Sequence, residues 1–336
     1  MLMPAMERSA ITVDMLPRVL FWDVLAFLCI LPIFRLYDHG KSGILDYAQV
    51  ISPAVCKIVA VLLTLYFLFA NINLISGFEV FSTTVVFPEL NSILFLILFA
   101  VVCGYIASLG LEAVARASSV VAVLAVVIVG LLLITLIPQV RKFNFTPLFY
   151  DGVQVPITAA LRSIANTTEI AAIAVVLPHV TGRVKRIYAA WAGGITVWII
   201  VLSFFAVGAL GAFATTQLFP FYTLAEIASA GIFQRLDSVM TSVWVACAVI
   251  KSGFLIYLAS DCVRRAIPKL GKNTSILLLS AVTVGCAAFI SLDEQRYVQM
   301  NNYTLSLIIF AVIVLVMPLT LLLLGAIRRR RKGEEE

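Results

Sequence analysis

Residues 153–178 read VQVPITAALRSIANTTEIAAIAVVLP, an apolar run interrupted at its centre by the octet Arg162-Ser-Ile-Ala-Asn-Thr-Thr-Glu169. The run is long enough to cross a hydrocarbon core about 30 Å thick. Its two ionisable groups therefore lie at a depth where each is costly unless it has a partner or a task. Arg162, Asn166 and Glu169 are spaced i, i+4, i+7 and share one face if the segment is a continuous helix. If the chain instead unwinds at Asn166-Thr167-Thr168, carbonyls and amides are freed there, and the hydroxyls satisfy some of them. Either arrangement suits a small zwitterion: a cation or a helix N-terminus takes its carboxylate, while Glu169 or free carbonyls take its ammonium. The bland alternative is an Arg162–Glu169 bridge, or pairing with neighbouring helices, that holds the bundle without touching a ligand. Pro156 and Pro178 near the ends of the run fit local distortion.

The rest of the chain extends the membrane reading. Hydrophobic residues make up 62% and charged residues 12%, against about 45–50% and about 25% in soluble domains. The expected fold is an all-α integral membrane bundle with nine spans at 19–34, 58–78, 92–111, 119–137, 153–178, 187–210, 235–260, 274–291 and 304–327. The first is short; it begins near Leu16 or sits in a tilted or thinned bilayer. Residues 1–18 form a short extracytoplasmic segment that does not read as a signal peptide. Sixteen basic residues fall on one side, including Arg35, Lys57, Arg116, Arg183, Arg264, Arg265 and the tail Arg328–Lys332, and five on the other. That bias predicts a cytoplasmic C-terminus and makes the net charge of +6 a topology signal rather than one for nucleic acid. Six dispersed cysteines and two histidines point to neither a disulfide framework nor a metal site.

Transporter folds are often built from two inverted repeats, each opened by a helix broken near the midplane. A repeat over about 153–327 is complete with five helices, whereas one over about 19–137 has four. The expectation is a ten-helix architecture whose opening helix has no counterpart here, with 19–327 as a single transmembrane domain and 328–336 as a cytoplasmic tail able to meet anionic lipid.

Other polar residues extend the candidate list. Lys251, with Ser252 and Gly253 beside it, lies well inside the span 235–260; it replaces a coupling cation or neutralises Glu169, or it snorkels to the inner interface. Arg235 and Asp237 sit at the outer end of that helix as interface residues. Asp23 lies in the first span, where it lines a water-filled cleft or is hydrated by a thinned bilayer. Glu112 and Arg116 are spaced for an i,i+4 pair. The segment FPFYTLAEIASAGIF (219–233), carrying Tyr222 and Glu226, has no Lys or Arg. It is expected to form an interfacial helix, either a lid or an amphipathic connector. No G-x-S-x-G, H-E-x-x-H or phosphate-cradling glycine motif is present, and no enzymatic activity or cofactor is expected.

Three segments taken in order resemble the B subunits of spore germinant receptors, membrane proteins of the amino acid–polyamine–organocation superfamily. GLEAVARAS (110–118) resembles the family's junction between two helices, and NFTPLFYDG (144–152) its outer loop before the sixth helix. FPFYTLAEIASAGIFQRLDSVMTSVWVACAVIKSGFLIY (219–257) is similar to its most recognisable block, with Pro220, Tyr222, Arg235, Asp237, Trp244 and Lys251 at pattern positions. The resemblance covers roughly residues 20–325. It implies ten helices in a LeuT-like five-plus-five inverted repeat and the sensing of a small germinant such as an amino acid. It also implies an A subunit and a C-subunit lipoprotein as partners in the inner membrane of the endospore. Glu169 falls where the family has a glutamate in its sixth helix, so the resemblance places it in a germinant pocket with Thr168 and Thr167. An alternating-access amino-acid or ion permease, and a structural subunit that binds nothing, are the competing expectations.

Overall fold

The computed structural model describes residues 14–39, 42–89, 91–146, 149, 152–217, 219–228, 236–291, 296–297, 299 and 302–333. All regular elements among them are helical. Eight helices are long and apolar enough to cross a membrane, and a ninth span is formed by two short helices bent by 42° at a break. The chain is an all-α polytopic membrane protein.

The first span, α1 (Met15–Asp38), is longer than its expected 19–34. Its polar N-terminal turns dilute the hydropathy of the sequence, but their side chains have partners: Arg18 donates to Ser163 Oγ and Trp22 Nε1 donates to Thr167 Oγ1 at 3.0 Å. The eight-residue α2 (Ile44–Ile51) precedes the long α3 (Pro53–Phe81), which starts with Pro53 at its first position and Ser52 Oγ accepting the Ala54 amide. Proline there loses no helical bond and serine satisfies a free amide. Helices α4 (Ser92–Leu109) and α5 (Leu111–Leu136) meet at Gly110, whose φ of 94° is a conformation an L side chain rarely adopts.

The chain then enters α6 (Gln154–Ala165) and α7 (Glu169–Val176), the two halves of the broken span, and α8 (Val184–Phe205). A second eight-residue helix, α9 (Pro220–Ile227), precedes α10 (Asp237–Ala266), α11 (Lys272–Ser291), α12 (Tyr303–Phe310) and α13 (Met317–Gly333). The order span, eight-residue helix, long span, two further spans thus occurs twice, from α1 and from α8.

Three π turns punctuate the spans: Ser82–Val86 after α3, Ala206–Leu210 after α8, and Ala311–Val316 joining α12 to α13. The first has a visible cause. Ser82, Thr83 and Thr84 each donate a side-chain hydroxyl to a carbonyl four residues back, at 2.8, 2.9 and 2.6 Å, and such back-bonding loosens the helical ladder. Pro318 follows the third turn; its ring and missing amide are incompatible with regular bonding to the preceding turn.

Lipid tails are as apolar as leucine, so tight van der Waals contact and small residues hold such a bundle together. Helices α3 and α10 form its axis, packing Leu63, Phe67 and Ala70 near Leu255, Leu258 and Ala259. Gly253 of α10 meets Ile106 of α4 so closely that a Cβ would lie 2.7 Å from that side chain. Helix α5 turns Val120, Val123, Val127, Leu131 and Ile134 outward, as a lipid-facing helix must. All six cysteines are free and four are buried, in the packing role expected of them.

Several basic residues bond across elements at one end of the bundle, at α2 and the adjoining end of α1. Arg265 Nη1 donates to Asp46 Oδ1 at 2.6 Å, Lys185 Nζ to Asp38 Oδ2 at 2.6 Å, and Arg328 to the carbonyls of Val50 and Ile51.

Candidate functional site

The broken span follows from the octet's chemistry. Helix α6 ends at Ala165, where the Asn166 amide turns back to Ser163 O at 3.2 Å and the Thr167 amide to Ile164 O at 2.9 Å. Asparagine and threonine offer side-chain partners that compete with helix continuation. Helix α7 restarts at Glu169, an acidic residue in a first turn, where the helix dipole favours it. Arg162, Asn166 and Glu169 therefore do not share one helical face.

Glu169 finds its partner 82 residues away, where Lys251 Nζ of α10 donates to Oε1 at 2.9 Å. The lysine thus turns across the bundle instead of snorkelling. Arg162 is directed elsewhere, with its guanidinium 4.7 Å from the centre of the Tyr303 ring. An Arg162–Glu169 bridge is not formed.

Beside this pair is a cavity of about 80 Å³. Its walls come from α3 (Tyr66, Phe69, Asn73 and Gly77 among others), from the break (Ala165, Asn166 and Thr168), from Lys251 on α10 and from Ser306 on α12. A water needs roughly 10–15 Å³ by this kind of measure, so the space suits several waters or a small organic molecule. Its polar lining is sparse and unsatisfied: Tyr66 Oη and Asn73 Oδ1 are buried without a hydrogen-bond partner. Lys251 and Glu169 keep 26% and 38% of their side-chain surface open, enough for a ligand to compete for either. The six residues expected at a ligand site thus divide. Asn166, Thr168 and Lys251 line the cavity, with Glu169 bonded to the lysine; Thr167 is buried against Trp22, and Arg162 lies over Tyr303.

Aromatic rings close the end of the cavity away from the basic side. Phe81 is their hub, meeting Phe219, Tyr222 and Trp244 edge-on at centroid distances of 5.0, 5.5 and 5.0 Å. Phe219 immediately precedes α9 and Tyr222 lies within it, so this short helix packs on α3 and α10 at that end of the cavity. Gln139 Nε2 fixes its far end by donating to Ile227 O at 3.0 Å. Tyr222 Oη also donates to the buried Asp237 at 3.4 Å, Glu226 is exposed, and Asp23 is half-buried on α1. Arg235 and residues 229–233 of the expected 219–233 segment lie outside the described residues.

A family profile described as spore germination protein matches residues 18–298, from α1 through α11. The chain belongs to the spore germination protein family. Among curated proteins, none matches it. For this spore germination protein the profile spans the broken helix, α9 and Lys251, so the cavity is built from family residues, with Ser306 of α12 beyond the match.

Sequence reasoning missed the α3 wall, including Tyr66, Asn73 and Phe81. The signal was the polar spacing Asn71, Asn73, Ser76, Glu79 within an otherwise apolar run, which periodicity alone does not assign to a cavity or to a helix contact.

Proposed function

We propose that this chain is the germinant-sensing membrane subunit of a spore germinant receptor, and that a small amino acid binds in the cavity beside Glu169 and Lys251. The observation that carries the reading is the helix break that puts Asn166 and Thr168 into a cavity next to a buried, partly open ion pair. A zwitterion matches that pair charge for charge. Its carboxylate replaces Glu169 at Lys251, its ammonium takes Glu169 and the free Asn73 oxygen, and the net charge of the site is unchanged. Such a swap loosens the tie between α7 and α10. Binding then acts as a signal because affinity differs between the tied and untied arrangements.

In this reading the basic side faces the cytoplasm, the C-terminus included, in the inner membrane of the endospore, and the LeuT-like inverted repeat supplies the two matched halves. An A subunit and a C-subunit lipoprotein read the change. The chain is a receptor component without enzymatic activity. A permease reading has support from the same cavity and its aromatic closure.

The test is calorimetric titration of the full chain in nanodiscs with a panel of amino acids. A saturable response that Glu169→Gln abolishes supports the reading. An unchanged response in that variant, or none to any amino acid, sinks it. Uptake of the bound amino acid into proteoliposomes would assign the permease.

A further inference from the structure

Glu79 lies outside the cavity and no role assigned so far uses it. It is 5% exposed near the end of α3 away from the basic side. Its Oε1 accepts from Ser92 Oγ of α4 at 2.5 Å and its Oε2 from Ser291 Oγ of α11 at 3.1 Å. Three helices therefore converge on one carboxylate through neutral hydroxyls. Three carboxylates that reach across to a basic side chain of another element have a cation: Glu169 has Lys251, Asp46 has Arg265 and Asp38 has Lys185. No basic side chain among the described residues bonds Glu79. One turn earlier on the same side of α3, Ser76 is 1% exposed and its hydroxyl is without a partner.

We propose that Glu79, Ser92 and Ser291 bind one monovalent cation, a sodium ion or a proton, and that its occupancy sets the aromatic closure of the cavity. A buried carboxylate with only neutral donors lacks one positive charge. Hard cations take oxygen ligands, and a single carboxylate among hydroxyls matches a charge of one better than two. The back-bonded π turn that begins three residues later keeps the neighbouring carbonyls of Glu79 and Val80 in a loosened stretch of helix. Glu79 also lies between Phe78 and Phe81, which pack on each other, with Phe81 the hub of the closure. Among the described residues, the titratable or charged groups on the surrounding elements include Glu89 past the π turn, Tyr66 on α3, Cys103 and Tyr105 on α4, Cys286 on α11, Cys247, Lys251 and Asp237 on α10, Tyr222 on α9, and Arg296 and Tyr297 beyond α11. None of them bonds the Glu79 carboxylate. The inference stands independently of what occupies the cavity.

The test follows the thermal unfolding midpoint of the full chain in nanodiscs. One arm exchanges N-methylglucamine for sodium at constant ionic strength, and the other lowers the pH without sodium. The expected result is a saturable rise in one arm, which names the cation, and its loss in Glu79→Gln, where an amide keeps the hydroxyl contacts without the charge. Should that variant fail to accumulate, Ser92→Ala with Ser291→Ala is expected to shift the half-saturating concentration by roughly tenfold, as loss of hydrogen bonds to a charged group requires. A wild-type midpoint indifferent to both cations, or a response the variants leave unaltered, overturns the proposal.

Discussion

Glu169 and Glu79 are carboxylates held inside the same bundle by opposite means. Glu169 is answered by a fixed ammonium on the axial helix α10, and both partners stay partly exposed, with Lys251 lining the cavity. Glu79 is closed in and answered only by hydroxyls from α4 and α11. A fixed cation makes a site that a zwitterion can invade without changing its charge; a shell of neutral hydroxyls supplies hydrogen bonds and no opposite charge.

The sharpest break of that contrast comes from Lys251→Met, which leaves Glu169 unanswered in the membrane. Removing one partner of a buried pair costs about 3–5 kcal/mol, and the open side of this one puts the expectation near about 3 kcal/mol. Chemical unfolding in mixed micelles measures it. Adding Glu169→Gln to that variant should recover a large part of the loss, because no buried charge then remains; a double variant no better than the single one would show that the pair is not coupled. A smaller loss, about 1–2 kcal/mol, is expected for Ser291→Ala, since Glu79 keeps its Ser92 bond. Glu79→Gln should cost no more than that without added cation, and a loss as large as that of Lys251→Met would erase the distinction between the two carboxylates. The smallest effect is expected at Arg116→Ala. The Arg116–Glu112 contact is 2.5 Å long, but both side chains are 79% exposed. Exposed pairs of this kind are worth about 0.5 kcal/mol or less, so unchanged unfolding is the outcome to look for.

Much of the architecture could be read from the chain. The apolar runs announced nine spans, the octet left a continuous helix and a break both open, and the segment beginning at Phe219 announced a short helix. What escaped was set by packing between distant segments. Neutralisation of Glu169 by Lys251 is one expected reading beside snorkelling and an Arg162–Glu169 bridge; the lysine and the glutamate are 82 residues apart, so no local spacing selects it or places Arg162 on Tyr303. A start of α1 near Leu16 is one of the expected readings, and α1 begins at Met15; the partners Ser163 and Thr167 that satisfy Arg18 and Trp22 are visible only in the fold. Glu79 lies just beyond the expected span end at residue 78 and drew no reading there; three helices meet at its carboxylate only in the folded bundle.

The bonds between α1 and the broken span carry a mechanical meaning. Arg18 with Ser163 and Trp22 with Thr167 match one turn of α1 to one turn of the chain opposite, so α1 and α6 run parallel and are splinted together. The opposite arm of the joint, α7, is tied across to α10 by the Glu169–Lys251 pair, so it is released only when that pair opens, and it abuts α2, where a Cβ on Gly43 would come within 2.6 Å of the Pro178 ring. A hinge with one arm clamped can swing only the other. Rotation about Asn166–Thr168 would therefore leave the molecule as a push on α2, at the basic surface where Arg265 and Arg328 hold that helix.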